Sequence, residues 1–293
     1  MTSPNTKERK AEAQQEPPYT GHEWDGIREY DNPLPRWWLW SFYATIVWSM
    51  IYWVLYPAWP MVTQATQGIL GYSTRAEAAA ELEAHQARSA PLESRLLQAE
   101  LASVADDPEL LHFATAGGAA IFRNQCSQCH GAGAQGAPGG YPSLLDDAWL
   151  WGGSLEDIHT TISHGIRDEA DGNTRWSQMP AFGELLPEEE IDGLVEYVLS
   201  LSGAPHDEKL AADHAESFAN NCAGCHGAEG EGMQMMGAPA LNDSIWQWGG
   251  DRDSIRYTIT NARFGVMPAF AGRLSDSDLR KVAVYVHGLG GGE

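Results

Sequence analysis

CSQCH at Cys126–His130 and CAGCH at Cys222–His226 are the two stretches from which this chain is read. In a Cys-x-x-Cys-His run the two thiols lie about one helical turn apart. Both can close thioether bonds to the vinyl groups of a porphyrin, and the adjacent histidine falls beneath the iron. Two other chemistries use Cys-x-x-Cys: half of a zinc site and a thioredoxin-like dithiol. The dithiol expects a preceding strand in a βαβ alternation, which the flanking sequence lacks. A four-cysteine zinc site leaves both adjacent histidines without a role. The chain has four cysteines, all within the two motifs, so the reading is two covalently bound haem c groups. Cys126, Cys129, Cys222 and Cys225 are the attachment points, His130 and His226 are axial ligands, and no cysteine is left for a disulfide.

Working outward, the motifs belong to an internal repeat. Phe122 precedes Cys126 by four residues, as Phe218 precedes Cys222. WLWGGSLEDIHTTI (Trp149–Ile162) matches WQWGGDRDSIRYTI (Trp246–Ile259), and MPAF occurs at Met179–Phe182 and again at Met267–Phe270. Each copy reads as mainly helical. The closing helix of the first copy follows Pro187, with acids in its first turn, apolar residues at helical spacing and Gly203 beyond its end. That of the second copy starts at Ser275 with a near capping box. The helix carrying Phe122 or Phe218 is expected to pack on a closing helix, with haem beneath their crossing. Two tandem cytochrome c domains, 113–203 and 204–293, follow as the expected division.

Methionine is the natural sixth ligand, because a thioether favours ferrous iron and raises the potential for electron transfer. Met179 and Met267 occupy equivalent repeat positions, which Met233, Met235 and Met236 do not. Core packing is the commoner use of any single methionine, but a repeated Met-Pro-Ala-Phe argues for iron. Which methionine serves which haem stays open: Met179 pairs with His130 and Met267 with His226 in the simple arrangement, and the two cross in the other. Filled axial positions leave no open site, so these haems are read as electron carriers, with no catalytic centre in this chain.

Residues 37–59, WWLWSFYATIVWSMIYWVLYPAW, contain no charge. As a helix they span about 35 Å, enough for a hydrocarbon layer of about 30 Å, with Trp and Tyr at both ends as interfacial belts. A soluble core helix is the alternative. A cleaved signal peptide fits worse, since the apolar run is too long and lacks a small-residue cleavage site. Lys7, Arg9, Lys10, Arg28 and Arg36 precede the span and the next basic residue is Arg75, so the N-terminus is expected in the cytoplasm. Residues 1–36 read as a cytoplasmic, mostly unpacked arm, with His22–Trp38 lying along the membrane surface. Pro57 and Pro60 end the span. Residues 60–112 read as a partly helical linker, with one or two helices over 75–112 and a break at Pro91, serving as a solvated spacer or packing on another subunit. The fold class is thus mainly α: one transmembrane helix, then two cytochrome c domains.

HEWDGIREYDNPLPRWW at 22–38, the anchor ending YPAWP, and two CxxCH domains with MPAF together resemble the dihaem subunit P (CcoP/FixP) of the cbb(3)-type cytochrome c oxidases over nearly the whole chain. The resemblance implies membership of a haem–copper terminal oxidase in the bacterial inner membrane, single-pass, with both haem domains periplasmic. It implies electron transfer from a donor cytochrome c through both haems to a monohaem subunit, and thence to the oxygen-reducing, proton-pumping subunit. Some relatives carry a second span that is not seen here. Another membrane-anchored dihaem carrier, a haem-based gas or redox sensor and a dihaem peroxidase are the competing readings. Only the N-terminal segment argues against the first. The other two need a labile ligand or an open haem.

A formal charge of −22 makes nucleic acid an unsuitable partner and a basic protein a suitable one. Residues 113–203 hold 3 basic and 13 acidic side chains, and 204–293 hold 7 and 12. The first copy is therefore expected to present the more negative face to a basic cytochrome c donor.

Overall fold

The computed structural model describes residues 18–290. The expectations for Lys7, Arg9, Lys10 and residues 1–17 of the arm fall outside them. The described chain forms two compact units, one ending at His85 and one beginning at Gln86.

The first unit opens with a feature the sequence reading had missed. β1 (Tyr19–Trp24) and β2 (Ile27–Tyr30) pair as an antiparallel hairpin. Asp25 and Gly26 at its tip both have positive φ, 50° and 80°, the requirement of the type I′ turn that Asp-Gly favours. The segment expected along the membrane surface thus has the form of a hairpin. α1 (Arg36–Leu55) follows, 20 residues or about 30 Å long, with no side chain buried. A helix apolar all round and exposed all round is suited to lipid. It stops four residues short of the expected Trp59, and Tyr56 is already extended. The chain then folds back: Ile69 and Leu70 donate backbone hydrogen bonds to the carbonyls of Val54 and Leu55 at 3.0 and 3.1 Å. These satisfy acceptors that a helix end leaves open. Gly68, at φ 67°, lies so close to Leu55 that a Cβ would strike its carbonyl.

α2 (Thr74–Gln98) leads into the second unit and runs straight through Pro91, so the expected break there is absent. Nor is all of it a solvated spacer. Leu96 is fully buried with Leu101 and Val104 of the following 3₁₀ turn (Leu101–Asp106) and with Leu110, Ala114 and Val284. The remaining helices are α3 (Pro108–Gln125), the one-turn α4 (Ser127–His130), α5 (Leu155–His164), α6 (Glu188–Leu201), α7 (Glu208–Asp213), α8 (Ala215–Asn221), the one-turn α9 (Ala223–His226), α10 (Arg252–Asn261) and α11 (Asp276–His287). Their starts follow the sequence signals. Asp107, Ser154, Asp207, Asp251 and Ser275 each accept backbone N–H bonds as N-caps, and Pro187 stands as the cap of α6 rather than its first residue.

The packing does not follow the division at 203/204. One core joins Phe122 of α3, Ile158 and Ile162 of α5, Phe270, and Leu279, Val282 and Val286 of α11. The other joins Phe182, Ile191, Leu194 and Val198 of α6, Phe218 of α8, and Ile255 and Ile259 of α10. Each sequence copy thus hands its closing helix to the other. Phe122 meets Tyr285 at 5.5 Å between ring centroids and Phe218 meets Tyr197 at 4.8 Å. The expected contact between the Phe helix and a closing helix is present twice, in exchanged form.

Candidate functional site

Both CxxCH motifs have one local geometry. The helix bearing the phenylalanine ends at the first cysteine, whose φ and ψ are −109° and −33° at Cys126 and −117° and −38° at Cys222. One further helical turn brings the histidine round, with His130 N–H to Cys126 O and His226 N–H to Cys222 O both 3.0 Å. None of the four cysteines is in a disulfide. Cys126 and Cys222 are partly buried against their cores, while Cys129 and Cys225 are exposed. Burial pushes the Cys126 and Cys222 thiols up to about 11.

The two imidazoles share one hydrogen-bonding arrangement. His130 Nδ1 lies 3.0 Å from Pro142 O, and His226 Nδ1 lies 2.9 Å from Pro239 O. A carbonyl only accepts, so Nδ1 carries the proton in both rings and the Nε2 lone pair is free. Burial holds both rings below the ordinary histidine range, which favours the neutral imidazole a metal requires.

The methionines are brought to the motifs crosswise. Met267 packs on the core that carries Cys126, and Met179 packs on the core that carries Cys222. Ile166 and Met267 exchange two backbone hydrogen bonds, at 2.8 and 2.9 Å. Phe270 N–H reaches Ile162 O and Ala271 N–H reaches Ser163 O. Asp168 caps the same strand by accepting from Ala269 N–H at 2.7 Å. The second MPAF is thereby stitched to the end of α5. Met233, Met235 and Met236 lie in the loop after the second motif, and Met235 is 88% exposed.

The arrangement fits a porphyrin and not shared zinc. The two cysteine pairs belong to different cores, and no cluster of three His, Cys, Asp or Glu side chains suited to a metal ion occurs among the described residues. Trp149 Nε1, at the edge of the first core, is buried with no hydrogen-bond partner. An orphaned buried donor packed on the same core as Cys126 is one that an acceptor on a bound group would satisfy. Sequence reasoning missed Trp149, and its recurrence as Trp246 was the available signal.

The family model described as the N-terminal domain of cytochrome oxidase-cbb3, FixP, matches residues 16–63, and that described as cytochrome C oxidase, cbb3-type, subunit III matches 113–198 and again 209–286. The Cbb3-type cytochrome c oxidase subunit CcoP of Cereibacter sphaeroides is 55% identical over 280 residues, covering 95% of this chain and 96% of its own. The FixP subunits of Azorhizobium caulinodans and Sinorhizobium medicae are 49% and 48% identical, each match covering 94% of both chains. The chain therefore belongs to the CcoP/FixP family of cbb3-type cytochrome c oxidase subunits, with one candidate transmembrane helix and tandem cytochrome c domains.

Proposed function

We propose that this chain is the dihaem electron relay of a cbb3-type oxidase, anchored by α1 in the bacterial inner membrane with its N-terminus cytoplasmic and both haem cores periplasmic. Electrons pass from a donor cytochrome c through two covalent haems to the monohaem subunit, and on to the oxygen-reducing, proton-pumping subunit. Oxygen chemistry takes place elsewhere in the complex. The observation that carries the reading is that each core has the first cysteine of a CxxCH motif and one MPAF methionine packed against it, with the Nδ1 of the motif's histidine turned to a backbone carbonyl.

Bound haem supplies a one-electron iron couple. The chain's own residues set the rest: the Pro142 and Pro239 carbonyls fix the imidazole tautomers, and the apolar cores exclude water and favour the less charged ferrous state. Of the two pairings left open by sequence, the packing supports the crossed one, His130 with Met267 and His226 with Met179.

Exchange of the closing helices also moves charge. Residues 179–261, which build the core around His226, hold 3 basic and 15 acidic side chains, whereas 113–166 and 267–290, around His130, hold 4 and 6. Grouped by core rather than by sequence copy, the more negative surface is the one around His226, and on this reading a basic donor is steered towards the core containing Cys222.

A chain with Cys126→Ser and Cys129→Ser retains only the second haem. In it, Met179→Ala should abolish the ferric thioether charge-transfer band while Met267→Ala leaves it. The opposite result rejects crossed ligation, and a parent chain without the band rejects methionine ligation altogether.

A further inference from the structure

Arg167 is the side chain that touches both methionine approaches. Its Nε donates to Ser177 O at 2.6 Å and one terminal nitrogen donates to Gly265 O at 2.9 Å. Ser177 lies two residues before Met179 and Gly265 two before Met267, so one guanidinium holds the same relative position in both strands. Those strands lead into different cores. The guanidinium also lies 5.9 Å from the Trp151 ring centroid and 5.5 Å from that of Phe264. Among the described residues no carboxylate is within ion-pair distance of it, and burial pushes its pKa below the usual arginine value. A half-buried cation with no carboxylate beside it, on a backbone with φ at 53°, is a costly arrangement. Its two carbonyl bonds are what the arrangement secures.

The second copy has no such clamp. Only 7 residues separate Ile259 from Met267, against 16 between Ile162 and Met179. The extra length of the first copy folds back on Arg167, with Arg167 N–H bonded to Arg175 O at 2.9 Å. Arg263, which follows α10, turns onto its own helix instead and donates to Ser254 O and Thr258 Oγ1.

We propose that Arg167 is a shared positioning residue for both axial methionines, making the seating of the two thioethers a coupled property of one side chain. The inference rests on methionine ligation as proposed above. A planar fork of donors holds two carbonyls at fixed separation, which neither an amide nor an ammonium group reproduces.

The test uses the assembled complex and compares Arg167→Gln and Arg167→Lys with Arg263→Gln. Each is read by the ferric thioether charge-transfer band, the two haem potentials and carbon monoxide binding to the reduced protein. Arg167→Gln should weaken the band and lower the potential at both haems. It should also raise the carbon monoxide-accessible fraction of each by about tenfold, the ratio that loss of one charge-assisted hydrogen bond gives. Arg263→Gln should leave both methionines seated. If Arg167→Gln does not assemble, Arg167→Lys carries the test, since it keeps the charge and loses the fork, and should move both haems in the same direction. Unchanged bands and potentials, or a change at one haem alone, overturn the proposal. A wild-type complex lacking the thioether band overturns the ligation reading itself, whatever the variants do.

Discussion

The two cores repeat one plan with different joints. In the core around Cys126 the imported segment is held by main chain: the paired bonds between Ile166 and Met267, and those from Phe270 and Ala271 to the end of α5. Its closing helix, α11, is braced from behind by α2, where Arg280 donates to Leu96 O and Ala99 O and the buried Lys281 pairs with Glu93 and Asp278 at 3.0 and 3.2 Å. In the core around Cys222 the imported helix α6 is held by side chains. Glu196, 6% exposed, receives Arg252 at 2.5 and 2.9 Å and the N–H of Asp207 at 2.7 Å, while Arg256 pairs with Asp192 at 2.6 Å. Close approach differs too. Gly118 of α3 lies against the Lys281 backbone, whereas Gly193 of α6 lies against the His214 ring. Equal motif geometry is thus accompanied by a backbone seam in one core that the other lacks among the described residues, and each core is incomplete without a helix from the opposite sequence copy.

Truncating the buried aromatics should break the comparison most severely. Phe122→Ala or Phe218→Ala, each removing a ring that is 1% exposed, should cost about 3–5 kcal/mol in unfolding free energy followed by haem absorption. Double-mutant cycles should show coupling of about 0.5–1.5 kcal/mol for Phe122 with Tyr285 and for Phe218 with Tyr197, and none for Phe122 with Tyr197. Coupling in that last pair would sink the exchanged architecture.

A smaller effect separates the two joints. Arg252 beside Glu196 holds its carboxyl below the usual range, so the pair stabilises the fold above the ordinary carboxylate pKa. That contribution is lost as pH falls through the depressed value. Glu196→Gln should cost about 1–2 kcal/mol at neutral pH, since Arg252 is half exposed to solvent. The gap from wild type should close on acidification in pH-dependent denaturation curves. A gap that persists at low pH would show that the pair contributes through packing alone.

The smallest expected change is kinetic. Replacing Glu188, Glu189 and Glu190 of α6 by Gln should slow association of a basic cytochrome c a few-fold at low ionic strength, with the difference vanishing as salt screens it. Asp146→Asn with Asp147→Asn, in the loop after the first motif, should change the rate less. The reverse order would return donor docking to the core around Cys126.

Much of the site was legible because its chemistry is local. Cys-x-x-Cys-His is a single helical turn, and the carbonyl that orients each histidine lies 12 or 13 residues downstream. The methionine pairing was not, because α6 and α11 carry similar apolar stripes, Ile191–Leu194–Val198 and Leu279–Val282–Val286, and either stripe satisfies the spacing that sequence can report. Pro91 misled in the other direction: proline disfavours a helix interior by its missing N–H, yet α2 continues through it, with its last turns buried under α11. The Asp25-Gly26 turn was legible and passed over, its flanking residues reading as interfacial rather than as strands.

The sequence by itself determined the two CxxCH motifs and the spacing within each, the membrane-compatible span and the existence of two copies, since all of these reside in contiguous residues. Only the tertiary structure decided which copy completes which core, and with it the crosswise packing of Met179 and Met267 and the placement of Arg167 between the segments that lead to them. The physical reason is that two near-equivalent closing helices compete for two near-equivalent grooves, and the choice rests on long-range packing, a seven-residue connection and hydrogen bonds between segments about 100 residues apart.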